Sequence, residues 1–142
     1  PESLRRVVRA VRPRLIVNAA AYTAVDAAES DHDAAHRVNA VAPGVLAEEA
    51  ARCGAALVHY STDYVFDGAG AKPWREEDPV GPLGAYGRTK LAGEEAVRAV
   101  DAPHLILRIS WIYGWRGKNF LRTMLRLGAE RKDLSVVADQ FG

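Results

Sequence analysis

The chain has a single cysteine, Cys53, among 142 residues. One thiol excludes an internal disulfide and fits a reducing compartment. With no CxxC and no Cys/His cluster, the sequence offers no zinc site either. The simplest role for Cys53 is a small apolar residue near a helix end. No apolar run approaches the roughly 20 residues of a membrane span, and no signal peptide precedes the first amphipathic stretch. Neither sign of charge dominates: 19 Lys and Arg face 18 Asp and Glu, a net charge of +1 with no basic run. That balance speaks against a nucleic-acid or membrane-surface partner. What is present is ordinary for a soluble domain, and the length suffices to bury one real core. The chain begins on Pro1, not Met, which hints that this is not the native start of the gene product.

Residues 2–11 place Leu4, Val7, Val8 and Val11 along one side of a helix and arginines along the other, and Pro13 stops it. LIVNAAA (15–21) is apolar without alternation, the pattern of a parallel strand covered on both faces. A second helix is expected over 32–52, closed by Gly54 and kinked or divided at Pro43. ALVHYS (56–61) reads as a strand. The connection 63–84 is long enough to be functional or mobile. A helix over 85–100, a strand at 104–110, a helix at 120–131 and a short strand LSVVA (134–138) complete the order. Helix and strand alternate throughout, which predicts an α/β fold with a parallel sheet of about four strands flanked by helices. In such sheets ligands bind beyond the carboxyl ends of the strands. Small residues, hydroxyls and aromatics gather there: Ala19 to Thr23, Ser61 to Tyr64, and Ser110 to Gly114.

Tyr86 and Lys90 stand four residues apart on the 85–100 helix, about 6 Å along its axis and on one face. An ammonium near a phenol favours the phenolate and lowers a pKa that is ordinarily about 10, making the tyrosine a usable general acid or base. The pair alone is a weak motif, because Tyr-x-x-x-Lys arises readily by chance. Thr62, directly after a strand, belongs at the same edge. A hydroxyl from Thr62 or Ser61, a phenol and an ammonium converging on one pocket suit the reduction of a carbonyl. None of them supplies a hydride, so a nicotinamide would have to.

NAAAYTAVDAAE (18–29), STDYVFDG (61–68), PLGAYGRTKLAGE (82–94), RISWIYG (108–114) and VVADQFG (136–142) occur in this order. Together they resemble the middle of an extended short-chain dehydrogenase/reductase, and more narrowly the dTDP-4-dehydrorhamnose reductases. STDYVFDG favours that branch over the sugar-nucleotide epimerases and dehydratases. The resemblance implies the second half of a Rossmann-like doubly wound sheet, with residues 1–142 forming a single partial NAD(P)-binding domain. The glycine-rich turn that grips the pyrophosphate and the carboxyl-terminal substrate part are both absent from it. It implies a cytoplasmic oxidoreductase of dTDP-rhamnose and cell-wall polysaccharide synthesis that takes NADPH or NADH and a nucleotide-sugar substrate. Tyr86 would give its proton to the C4 carbonyl oxygen, Lys90 would also bind the nicotinamide ribose, and Thr62 would tune the tyrosine. Thr62, Asp63 and Trp111 would touch substrate, and Ala21, Tyr22 and Thr23 would line the cofactor. Asn39 matches an asparagine that the superfamily often places beside the active site. Mg2+ enters by resemblance only, and the residues name no metal ligand.

Other readings stand beside these. Thr62 also suits a strand-end cap, Asp63 a turn, Trp111 plain core, and Trp74 and Trp115 a structural or surface place. Asn39 suits a helix-interior residue bonding a backbone carbonyl, and His59 a satisfied core histidine. Asp26 and Glu29 are explained by a turn or helix start. A non-catalytic regulatory subunit of the same fold is the alternative function, and an epimerase or dehydratase a second. A sheet cut in its middle presents an unpaired edge and bare apolar faces at LIVNAA and the helix before it, so self-association or a homodimer is expected.

Overall fold

The computed structural model describes residues 1–70, 72–117 and 119–137. Two compact units divide the chain, Pro1–Arg108 and Ile109–Gly142. In the first unit the elements are α1 (Glu2–Val11), β1 (Leu15–Asn18), α2 (His32–His36), α3 (Ala42–Cys53), β2 (Ala56–Thr62), α4 (Ala85–Arg98) and β3 (His104–Ile109). Short 3-10 turns stand at Ala27–Glu29 and Asp63–Val65. The strands form one parallel sheet in the order β1-β2-β3, with Leu15 opposite Ala56 and Asn18 opposite His59.

Local chemistry sets the boundaries. Arg12 caps α1 in the left-handed region at φ 48°, its N–H donating to the Val8 carbonyl at 2.8 Å, and Pro13 prevents continuation. Gly54 closes α3 at φ 71°, where a residue without Cβ adopts the left-handed conformation at no steric cost. The expected break at Pro43 takes another form: α2 runs into α3 through a π-turn at Arg37–Val41. Proline has no N–H for residue 39 and its ring crowds that carbonyl, so one wider turn absorbs the misfit without ending the helix. The Asn39 carbonyl then faces α4 at Gly93, where a Cβ would lie 2.1 Å from it. Glycine is required there by close helix approach.

Helices α1, α3 and α4 cover one face of the sheet. Val8, Leu46, Ala47, Ala50, Leu57 and Val97 form the core, with Ile16 and Ile106 packed against them. The other face is bare at its edge strand: Leu15 is 53% exposed and Val17 55%. The strand is parallel as expected, and one of its faces is bare, as expected of LIVNAA in a sheet cut in its middle. Only Ile16 and Asn18 turn inward, and the strand stops at Asn18, leaving residues 19–24 without regular structure.

The second unit contains α5 (Phe120–Glu130), amphipathic but with no buried residue. Asn119 caps it by accepting a hydrogen bond from the Arg122 N–H at 3.0 Å. The fourth strand expected at 134–138 does not form over 134–137, and Ala138 lies outside the described residues. Leu134, Val136 and Val137 are exposed, and a strand with no neighbour to complete its hydrogen bonds is not stable alone. Of VVADQFG, residues 138–142 also lie outside them.

Candidate active site

The first unit gathers its polar side chains at the carboxyl end of β2, under α4. Helix α4 begins after Gly84, and the Glu29 carboxylate accepts from the Ala85 N–H at 2.5 Å. A carboxylate at a helix N-terminus satisfies an orphan donor and opposes the positive end of the dipole. Glu29 thus serves the helix start, as the sequence suggested. Gly87 lets the first turn approach the 3-10 turn closely: a Cβ there would stand 2.3 Å from the Tyr64 carbonyl. Tyr86 is brought beside this turn, its ring edge-on to Tyr64 at 5.6 Å between centroids.

Thr62 ends β2 in extended conformation. Its hydroxyl donates to the Asp63 carboxylate at 3.1 Å and accepts from the Tyr64 N–H at 3.3 Å. Its reading as a cap and its reading as a neighbour of the phenol both describe it. Burial raises the Tyr86 phenol above its ordinary pKa, the Thr62 hydroxyl draws it down, and the charge of Asp63 adds to the rise. The expected lowering by Lys90 is thus reversed. The lysine, 1% exposed, donates its Nζ to the Tyr60 carbonyl at 2.6 Å. Burial lowers Lys90 to about 8, with the charge of Glu94 opposing the fall. The phenol is desolvated beside an ammonium engaged elsewhere, so desolvation decides the direction. Tyr86, Lys90, Thr62 and Asp63 are nevertheless brought to one place.

Asn39 ties this site to the coil after β1. Its Oδ1 accepts from the Tyr22 N–H at 2.8 Å, and its Nδ2 donates to the Tyr22 carbonyl at 3.1 Å and to Thr89 Oγ1 at 3.2 Å. Thr89 in turn donates to the Tyr86 carbonyl at 2.9 Å. Asn39 does bond a backbone carbonyl, but that of the neighbouring coil and not of its own helix. Tyr22 and Tyr86 both pack on the cluster of Ala28, Ala35 and Ala85, so residues 21–23 stand on the flank of α4. Tyr22 also donates its hydroxyl to Asp31 at 3.2 Å.

Beneath lies a layer that sequence reasoning missed. Glu94, fully buried, receives Nε and Nη2 of Arg108 at 3.0 and 2.8 Å and Nη2 of Arg98 at 2.9 Å. Burial would raise its carboxyl, but the Arg108 hydrogen bonds, the nearby Ser61 hydroxyl and the two guanidinium charges hold it below its ordinary value. Ser61 Oγ itself is buried and makes no hydrogen bond of normal geometry. It faces Glu94, so Thr62 is the hydroxyl that neighbours the phenol. His59 is not the satisfied core histidine expected. Asn18 donates to its Nδ1 at 3.0 Å, which leaves the proton on Nε2, and Nε2 has no partner among the described residues. Burial lowers His59 to about 4, the charge of Lys90 adding to the fall and Glu94 opposing it. The signal available in the sequence was helical spacing: Tyr86, Lys90 and Glu94 repeat every four residues.

Arg108 also stacks over the Phe66 ring at 4.9 Å, and Phe66 stacks on Trp74 at 4.7 Å. The connection 63–84 is therefore pinned at Phe66 and Trp74. Trp111 belongs to the second unit. There it adopts φ 49°, unusual for a residue with a Cβ, and packs edge-on to Phe120 at 5.6 Å. With Ile112, Tyr113, Leu121 and Met124 these two rings line a cavity of about 450 Å³. Trp111 is half exposed and so is not plain core. Trp115 is exposed, in keeping with a surface place. Among the described residues no three His, Cys, Asp or Glu side chains cluster as metal ligands, and no helix is long and apolar enough to cross a membrane.

The chain is similar to several known proteins. A dTDP-4-dehydrorhamnose reductase of Burkholderia thailandensis is 56% identical over 142 residues, all of this chain and 48% of that protein. A solved reductase of that name from Clostridium acetobutylicum superposes with a TM-score of 0.94 at 43% identity, over 98% of this chain and 49% of the other. A Bacillus anthracis reductase of the same name, solved in complex with NADP, gives 0.94 at 43% identity over 98% and 50%. The chain spans about half the length of the relatives it matches. It belongs to the family described as the RmlD substrate binding domain, whose model it matches over residues 1–142.

Proposed function

We propose that the protein reduces a nucleotide-activated 4-keto-6-deoxy sugar, dTDP-4-dehydro-L-rhamnose to dTDP-L-rhamnose, with this chain carrying the proton-donating half of the site. The observation that carries the reading is the convergence of Tyr86, Lys90 and Thr62 at the carboxyl end of β2. The names of the relatives support it, as does NADP in the Bacillus anthracis structure.

The residues present fit a nicotinamide cofactor. Ala21, Tyr22 and Thr23 lie in an open coil held by Asn39, with small side chains around them that allow close backbone approach. When bound, NADPH or NADH supplies the hydride. Tyr86 holds a proton at its phenol oxygen, which burial keeps attached near neutral pH, and releases it to the C4 oxygen as the carbonyl becomes an alcohol. Thr62 and Asp63 orient the sugar beside the phenol. Lys90 contributes its positive charge and its reach to a ribose hydroxyl. Among the described residues no arrangement supports Mg2+.

The bare sheet face and the exposed Val7, Val11, Leu15 and Val17 also support self-association. Sedimentation velocity checks this: a monomer at every concentration overturns it. The catalytic reading is tested by Tyr86→Phe in the native full-length protein. Loss of ketone reduction with NADPH binding retained is the expected result, and undiminished turnover removes Tyr86 from the reaction.

A further inference from the structure

Glu94 has no part in the chemistry just described, yet it is one of two arginine-clamped buried carboxylates of the first unit. It is fully buried and fixed by two arginines, one of which reaches it with two nitrogens from the neighbouring strand. It stands one helical turn beyond Lys90 on the same face, as Lys90 stands one turn beyond Tyr86. Arg108, which clamps it, is itself fixed by the Phe66 ring and by the Glu76 carbonyl at 3.3 Å. A carboxylate needing only solvation would be served by water at the surface. This one is immobilised beside a lysine that is itself out of water.

We propose that Glu94, locked by Arg108, is a positioning residue that keeps the Lys90 ammonium charged and seated on the Tyr60 carbonyl. The inference rests on the reading of Tyr86 and Lys90 as the reducing pair. Lys90 has one hydrogen-bond acceptor, and a buried ammonium with a single neutral acceptor loses much of its hydration. The groups around it are few. His59 faces it from β2 and is uncharged near neutral pH, so it contributes no counter-charge. Asp63, on the 3-10 turn, faces Tyr86. Asn39, from the π-turn, is uncharged and engaged with Tyr22 and Thr89. Arg108 and Arg98 face Glu94. Among the described residues the Glu94 carboxylate, with Arg108 and Arg98 paired to it, is the negative charge acting on Lys90, and it opposes the fall that burial imposes. Without the clamp the side chain would be free to protonate or turn away, and the lysine would lose its proton near neutral pH.

The test is a titration of the Lys90 side chain by carbon-13 NMR in the native full-length protein labelled at lysine Cε, alongside the pH profile of kcat/KM. Glu94→Gln is expected to move the Lys90 midpoint down by about one pH unit from its starting value near 8, as one unit charge a helical turn away would at intermediate dielectric. The alkaline limb of kcat/KM should move with it, costing about fivefold at pH 8 as the protonated fraction falls. Glu94→Gln leaves Arg108 and Arg98 unpaired, so Arg108→Met, which keeps the carboxylate and removes its clamp, stands in if that variant does not fold: the Lys90 midpoint should still fall although a positive charge has been taken away. Glu49→Gln, an equivalent lesion at the α1–α3 contact, should leave the midpoint in place. An unmoved midpoint in Glu94→Gln, or in Arg108→Met where that variant stands in, overturns the proposal, and so does equal movement in Glu49→Gln. Undiminished turnover in Tyr86→Phe refutes the catalytic reading instead, and leaves the Lys90 titration to be judged by itself.

Discussion

Glu49 on α3 and Glu94 on α4 are a natural pair for comparison. Each is a buried carboxylate, 1% and 0% exposed, and each is clamped by arginines. Arg9 donates to Glu49 through Nε and Nη2 at 2.8 and 2.7 Å, and Arg5 joins at 3.1 Å. The Arg9 hydrogen bonds outweigh burial and bring Glu49 down to about 2. The geometry is nearly that of Glu94 with Arg108. Their surroundings differ. Glu49 holds α1 to α3 beside Val8 and the apolar core, with its arginines, Glu48 and Cys53 around it. Glu94 shares its layer with Lys90, His59 and Ser61. An arginine-clamped glutamate is thus a structural device whose meaning comes from its neighbours, and burial alone does not mark function.

The largest effect tests the premise that only one of the two lies beside working chemistry. Tyr86→Phe should lower the reduction rate by about 10²–10⁴-fold with little change in thermal stability. Stopped turnover with a preserved melting curve is the result to look for. Next, each glutamate replaced by glutamine should destabilise the protein, because arginines are left without their counter-charge. For Glu94, the more enclosed, the cost should be about 3–5 kcal/mol in denaturant unfolding. Activity at matched folded fraction should fall only for Glu94, and a parallel loss in Glu49→Gln would erase the distinction.

Gly93→Ala probes whether the two helices that carry Asn39 and Lys90 must approach so closely. A Cβ 2.1 Å from the Asn39 carbonyl requires backbone movement, at about 1–3 kcal/mol or more. A melting temperature unchanged from the parent would show that the π-turn yields freely. The pH dependence is smaller. His59 is lowered from 6.5 to about 4 in the fold, so between these values the unfolded chain binds more protons than the native one. Stability should therefore fall by roughly 2–3 kcal/mol as pH drops through that window, and His59→Gln should flatten it. Glu49 acts at lower pH, its contribution being lost as pH falls from 4.5 through about 2. The smallest effect belongs to the exposed Arg126–Glu130 pair, 3.1 Å apart on α5. Arg126→Ala should change stability by less than about 0.5 kcal/mol.

Much of the fold was legible because its signals are local. The Val7, Val8 and Val11 stripe, Pro13, Gly54 and the apolar runs at 56 and 104 each depend on residues within a turn or two, and the elements formed close to where they predicted. Tyr86, Lys90 and Thr62 were legible for the same reason: a four-residue spacing on a helix and a hydroxyl directly after a strand. The strand at 134–138 was not, because a strand is completed by a neighbour that a sequence window does not contain. The direction of the Tyr86 shift was misread because spacing shows which groups are near but not which are desolvated.

By itself, then, the sequence determined the alternation of helix and strand, the α/β class, and which residues meet at the carboxyl end of β2. Periodicity, caps and turns are short-range properties of the chain. Tertiary structure alone decided that Pro43 yields a π-turn and that Asn39 reaches Tyr22. It also decided that Arg108 on β3 closes over Glu94 on α4. The last two contacts join residues 17 and 14 positions apart. The free energy of a buried charge depends on what surrounds it in space, which no stretch of sequence specifies.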